Sequence, residues 1–211
     1  MLRATISSLN LNMNMFKKIL PPMVFVVVAT VATAAESNRL RLMLPIQGSY
    51  SGKVFTGASD PAGKVDSVSV SGYNLQYVDA SGFGIGYTST NLTVEEKTED
   101  ANESLTWGYA WGPATFLDLS YTFGDEMSVQ IILGYQLDQE DLEFTNRGTK
   151  TTNKISSHSG TAFGLNGGYN FGGFEALIGY RSEAVNVSPQ DSSTDYDISR
   201  TLISAGIGFT F

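Results

Sequence analysis

The last fifteen residues of the chain, Asp197 to Phe211, read D-I-S-R-T-L-I-S-A-G-I-G-F-T-F. Counting back from the end, Phe211, Phe209, Ile207, Ala205 and Ile203 share one face. Thr210, Gly208, Gly206, Ser204, Leu202 and Arg200 share the other. A period of two over this length predicts a β-strand with one apolar side and one small or polar side. A final aromatic on the apolar side is out of place in a chain whose end frays in water. It fits a strand that closes a barrel in lipid, its ring at the bilayer interface.

Seven earlier segments repeat the pattern. Arg39 to Tyr50 sets Leu40, Leu42, Leu44 and Ile46 against Arg39, Arg41 and Gln47. From about Asp66 to Val78, Tyr73, Leu75 and Tyr77 oppose Asn74 and Gln76. The third segment alternates Phe83, Ile85 and Tyr87 with Gly84, Gly86 and Thr88. The fourth turns Thr115, Leu117, Leu119, Tyr121 and Phe123 outward and Asp118, Ser120 and Thr122 inward. It is prolonged upstream by outward-facing Trp107, Tyr109 and Trp111. In the fifth, Val129, Ile131, Leu133, Tyr135 and Leu137 oppose Ser128, Gln130, Gly134 and Gln136. The sixth sets Phe163, Leu165, Tyr169 and Phe171 against Gly164, Asn166, Gly168 and Asn170. The seventh sets Phe174, Ala176, Ile178 and Tyr180 against Glu175, Gly179, Arg181 and Glu183.

The connections alternate strictly. Three are tight and rich in Gly and Asp, around residues 79–82, 124–126 and 172–173. Four are read as long and polar, at roughly 51–65, 94–104, 139–157 and 187–197. Short turns at one end and long loops at the other describe an all-β, eight-stranded, antiparallel up-and-down transmembrane barrel. Both termini then lie on the periplasmic side.

The N-terminus reads as a leader rather than as fold. Met15-Phe16-Lys17-Lys18 is a basic start, Met23 to Ala32 a short apolar run, and Ala32-Thr33-Ala34 a cleavage site. Residues 1–35 are therefore expected to be a signal peptide, with 1–14 an overlong start, and 36–211 the barrel. The apolar run is too short for a spanning helix, which needs about 20 residues. Beyond the leader, 10 basic residues face 21 acidic ones. Nucleic acid is excluded as a partner, because phosphate binding needs clustered Lys and Arg. With no cysteine there is no disulfide, thiolate nucleophile or cysteine metal site, and no cofactor is expected.

The aromatics sort by depth. Tyr77, Phe83, Tyr121, Phe123, Tyr169, Phe171, Phe174, Phe209 and Phe211 gather at the tight turns and the C-terminus. Tyr135, Tyr180, Trp107, Tyr109 and Trp111 form a second level. Tyr and Trp suit a membrane interface, where a ring sits in lipid while its polar tip stays wet. A soluble β-sandwich alternates too; the leader, the terminal Phe and the two aromatic levels favour the membrane. On these features the chain resembles the small outer-membrane barrels of the OmpA/OmpX type. That resemblance implies that Phe209 and Phe211 act as the assembly signal, read by the barrel assembly machinery. It also implies outer-membrane lipids and lipopolysaccharide as surroundings, and a ligand for the long loops. Family members act as membrane-stabilising proteins, adhesins or narrow pores.

The inward face carries Arg41, Asp118, Glu175, Arg181, Glu183 and Arg200, a set that in a low-dielectric lumen must pair. Paired, they plug the barrel; hydrated, they line or gate a channel. Many other inward positions are Gly, which admits either large neighbours or a thread of water. His158 is the only histidine, with Ser156 two residues before it on the same face. Lipid A deacylases of similar size use a His-x-Ser and a following carboxylate, but here position 160 is Gly and no acid follows in that strand. The acidic clusters at Glu95–Asp100 with Glu103, and at Asp138–Asp141, lack calcium-loop spacing. The reading is a non-enzymatic structural or surface-interaction barrel, with a narrow pore as the alternative and a lipid-modifying enzyme as a distant third.

Overall fold

The computed structural model describes residues 37–52, 64–100, 103–146, 149–190 and 195–211. The leader read at 1–35 lies outside them, and the side chains of Trp107, Tyr109, Trp111 and the 95–103 acidic cluster also lie outside the described set. The strands are β1 (Arg39–Gly52), β2 (Lys64–Val78), β3 (Phe83–Asp100), β4 (Glu103–Phe123), β5 (Met127–Gln139), β6 (Leu142–Asn146), β7 (Thr149–Asn153), β8 (Ile155–Asn170), β9 (Phe174–Pro189) and β10 (Tyr196–Thr210). All but β6 and β7 join in sequential order into a closed antiparallel barrel, with β10 pairing back onto β1. Past the last rung, Asn38 and Phe211 exchange two backbone hydrogen bonds of 3.0 Å. The final residue is thus part of the closure.

Turn chemistry holds one rim. Gly82 and Gly124 take φ of 89° and 80°, a region that strains any residue with a Cβ. The Asp79 carboxylate accepts from the Ser81 hydroxyl and the Ser81 and Phe83 amides, an Asx-type cap. The Ser81 hydroxyl in particular holds that carboxyl below its ordinary range. Above this rim lies the aromatic girdle. Phe83 meets Tyr121 edge-on at 4.9 Å, Tyr169 meets Phe171 at 4.8 Å, and Phe174 packs on Phe209 at 4.9 Å.

In this half of the barrel the two faces are inverted relative to a water-soluble protein. Leu119, Leu133 and Ile178 are 60%, 62% and 63% exposed on the outside, while Arg39 is fully buried within. Such a surface is stable only against hydrocarbon. On β5 the band runs from Met127 to Leu137, about 33 Å of strand at ~3.3 Å per residue, enough for a tilted crossing.

One face assignment changes. Gln47, expected inward, is exposed, and Gly48 and Tyr50 take the inner face. The cause is a β-bulge between Pro45 and Gln47, which inserts one residue and reverses the parity of all that follows on β1.

The long loops change more. Residues 94–100 and 103–104 continue β3 and β4, paired as far as Asp100 and Glu103. The stretch 139–157 contains the β6–β7 hairpin, with β6 paired to the upper part of β4. The polar composition of these stretches reads as loop, but Val94, Leu142 and Ile155 within them turn inward. Leu92, Val94, Ala114, Phe116, Leu142, Ala162, Val185, Val187, Tyr196 and Ile198 form one buried cluster, joined by Tyr50, Val68, Val70 and Ile155.

The ladder explains how that cluster forms. Pairing of β1 with β2 stops at Met43 and Asn74, and pairing of β5 with β8 stops at Tyr135 and Thr161. Above those points β1, β10, β9 and β8 remain one sheet, while β2, β3, β4, β6 and β7 remain another. The barrel therefore opens upward into two facing sheets with apolar side chains between them, the arrangement of a β-sandwich.

Leu92→Ala should cost about 2–5 kcal/mol of stability, the usual cost of a large-to-small change in a packed core. Hydrogen exchange should quicken at Val185 and Val187 and stay slow at residues 175–181. Uniform acceleration along β9 would show that the two halves are not separate cores.

Candidate functional site

Among the described residues eight charged side chains meet at the lumen in two groups. Near the tight-turn rim, Glu175 on β9 sits between two arginines of β1. Its Oε1 accepts from Arg39 Nη1 and Arg41 Nη2, both at 2.7 Å, and its Oε2 from Arg41 Nε at 2.8 Å. Arg41 also donates to the Thr122 and Ser128 hydroxyls at 3.2 and 3.0 Å. Arg39 Nη2 donates to the Gly124 carbonyl and to Asp125, each at 3.0 Å. Two cations thus face two anions.

Higher up, Arg181 of β9 spans the lumen to Asp118 of β4. Its Nη1 lies 3.0 Å from both carboxylate oxygens, its Nε donates to Glu183 at 2.7 Å, and its guanidinium covers the Phe116 ring at 4.9 Å. Asp118 accepts further bonds from Thr88 and Asn74. Arg200 joins through Glu183, with Nε 3.4 Å from Oε2, and through a 3.5 Å contact from Nη2 to Gln139 Oε1. Again two cations face two anions. Between the groups Asn166 donates to Gln130 at 2.9 Å and Gln130 to Ser120 at 3.0 Å.

All six residues singled out from the sequence are buried and inward: Arg41, Asp118, Glu175, Arg181, Glu183 and Arg200. They do not form one network; Arg41 belongs with Glu175, and Arg200 with Glu183. Arg39 was legible by parity, being two residues before Arg41 on the same face. Asp125 was not, because it reaches in from a turn, where no alternation applies.

The inward glycines are spaces for these side chains. A Cβ at Gly134 would lie 2.6 Å from Asp118 Oδ1 and 2.9 Å from Arg181 Nη2. One at Gly208 would lie 2.6 Å from Glu175 Oε2, and one at Gly168 2.6 Å from the Ser128 hydroxyl. The two groups differ in completeness. The lower one leaves only Arg39 Nε without a hydrogen bond, while the upper one leaves Arg181 Nη2 and Arg200 Nε and Nη1.

The histidine assembles no nucleophile. A bulge between Ile155 and Ser157 puts Ser156 out of step with His158, so the two no longer share a face. Ser156 Oγ instead donates to the Ser188 carbonyl at 2.8 Å. His158 Nε2 stands 3.6 Å from Asp138, across the gap between β5 and β8. Among the described residues no three acids or histidines converge as a metal site. A groove of about 550 Å³ lies on the outer wall, lined by Asn91, Gly112, Pro113, Glu140, Asp141 and Glu143 among others. Its acids are engaged at Asp141, which accepts from the Ile155 amide at 3.1 Å, and at Glu143, 3.4 Å from Lys150.

No family model and no curated protein matches the chain. Similar solved structures include the crystal structure of Neisserial surface protein A, with a TM-score of 0.43, 11% identity, and coverage of 84% of this chain and 99% of that one. Ail, the attachment invasion locus protein of Yersinia pestis, gives 0.42 and 13%, covering 82% and 97%. The outer membrane protease OmpT of Escherichia coli gives 0.38 and 8%, covering 84% and 94%. Small outer-membrane barrels are thus the structural neighbours, but at these values no residue correspondence or activity transfers. The architecture rests on the strand register itself.

Glu175→Ala strands the buried Arg41 guanidinium, leaves Arg39 only Asp125 and the Gly124 carbonyl, and should destabilise the barrel by about 3–5 kcal/mol. Gly134→Val should be similarly harmful, because a side chain there displaces the Asp118–Arg181 pair. Denaturant unfolding in detergent measures both; a change under about 1 kcal/mol for Glu175→Ala would mean that the lumen is hydrated.

Proposed function

We propose that this protein is a non-conducting, non-enzymatic barrel of the bacterial outer membrane. It works as a structural element and through its extracellular β-sheets. The observation that carries this reading is the filling of the lumen. Two charge-balanced groups, side chains seated against inward glycines, and an apolar cluster above them occupy successive levels of one narrow barrel. An eight-stranded barrel has an interior just wide enough to be filled this way. Arg41, Asp118, Glu175, Arg181, Glu183 and Arg200 then serve as the plug.

On this reading residues 1–35 direct export and are removed, both termini face the periplasm, and the wide end faces outward. The barrel assembly machinery takes the chain through its C-terminal strand, with Phe209 and Phe211 as the signal. Outer-membrane lipids and lipopolysaccharide surround the apolar band. The two upper sheets offer a rigid surface to an extracellular ligand, supported by their shared core.

In a planar bilayer the purified protein should show no steady current, and Arg41→Ala should lower its melting temperature in detergent. Steady, charge-selective single-channel currents from the unaltered protein would replace this reading with the narrow pore. Phe211→Ser should reduce the amount assembled in cells severalfold. It should leave refolded protein nearly as stable, since the backbone bonds of Phe211 to Asn38 survive the change. Normal assembly of that variant would remove Phe211 as the signal.

A further inference from the structure

Across β8, β9, β10 and β1 the outward residues stack in register. The top rung that is mainly apolar is Leu165, Tyr180 and Ile203, with the exposed Gln47 of β1 beside Ile203. One rung higher, Ser182, Thr201 and Ser49 stand side by side next to Phe163. The next rung carries Thr161, Ser199 and Ser51 around Ala184. On β9 and β10 the greasy wall gives way to small hydroxyls within a single step, while on β8 Phe163 carries the apolar surface one rung further.

Three properties of this face bear on what covers it. Four of its six hydroxyl residues are exposed, Ser182 and Thr201 are half-buried, and among the described residues none of the six hydroxyls has a protein hydrogen-bond partner. No side chain of the two rungs is charged. The arginines of the described residues all point into the lumen, and Lys150 lies across the gap on β7. Lys154, whose carbonyl accepts from the Gln190 amide, stands at the far top edge of this sheet, seven residues along the chain from Thr161. The face is also continuous with the lipid-facing band, so a lipid whose chains lie against Leu165, Tyr180 and Ile203 must set its headgroup here.

We propose that the β8–β9–β10–β1 face docks the sugar headgroup of an outer-leaflet glycolipid through its hydroxyls, and not through its phosphates. A hydroxyl both donates and accepts, which matches a sugar's own groups at every orientation. A phosphate, in contrast, wants the charge-assisted donors of Arg or Lys, and these two rungs have none. The acidic groove on the opposite wall is unsuited to either anion or lipid chain. The proposal rests on the outer-membrane placement given above and adds which lipid chemistry is selected and on which strands.

The test uses the full barrel inserted in nanodiscs, with insertion checked first by its heat-dependent gel mobility. Native mass spectrometry then counts bound lipid for three probes: a lipid A glycolipid, the same glycolipid without phosphates, and phosphatidylglycerol. The unaltered protein should retain both glycolipids within about twofold of each other and above phosphatidylglycerol. Ser182→Val with Thr201→Val and Ser199→Val keeps the strand propensity and removes three hydroxyls. It should weaken both glycolipids about tenfold, the scale of two or three lost hydrogen bonds, and leave phosphatidylglycerol unchanged. Equal retention by variant and parent overturns the docking face alone. Loss of binding with the phosphates removed overturns it too, in favour of an anion site. Failure of the parent to insert overturns the membrane placement with it.

Discussion

A β-sheet in hydrocarbon has no edge to spare. Water is absent, so every backbone N–H and C=O must find a partner within the sheet. In this chain that requirement is met by β10 folding back on β1, and by the pair between Asn38 and Phe211 that completes the last rung. Everything else about the lower half follows from closure. The outside must be apolar, and so the alternation of each strand drives its polar and charged residues into a narrow interior. There Arg39, Arg41, Arg181 and Arg200 have no solvent to turn to and are matched by four carboxylates. The glycines of the inner face leave the volume those long side chains need.

Higher up the constraint lapses, and the architecture changes with it. Once strands emerge into water an unpaired edge is tolerable, and two of the ladders stop. The burden of stability passes from backbone closure to side-chain packing, and the polarity of the two faces reverses. On β9 the outer face runs from Ile178 and Tyr180 to Ser182 and Asn186, while the inner face runs from Arg181 and Glu183 to Val185 and Val187. One strand thus obeys two solvents in turn. The upper charged group sits beneath this transition, where Arg181 covers the Phe116 ring of the apolar cluster and Arg200 keeps Nε and Nη1 without a hydrogen bond.

Much of the lower barrel was legible in the sequence. Strand number, the outward apolar series and the inward position of six charged residues all follow from a period of two, which is a local property of an extended chain. The girdle at the tight turns was legible for the same reason. Bulges were not. The extra residues at Pro45–Gln47 and Ile155–Ser157 reverse the parity downstream, misplacing Gln47 and separating Ser156 from His158. The upper sheets were hidden as well, because their outward Ser, Thr and Asn residues imitate loop composition while their Val and Leu partners face inward.

The sequence by itself determined that the chain forms strands with one greasy side, because alternation depends only on neighbours two residues apart. That this side faces lipid is read from the leader, the terminal Phe and the two aromatic levels, since a soluble sandwich alternates too. Tertiary structure alone decided which arginine meets which carboxylate, that the glycines hold side chains, and that the barrel opens into two packed sheets. Each of these depends on register across the lumen. Asp118 and Arg181, far apart in the chain, meet only because closure sets β4 opposite β9 at one height.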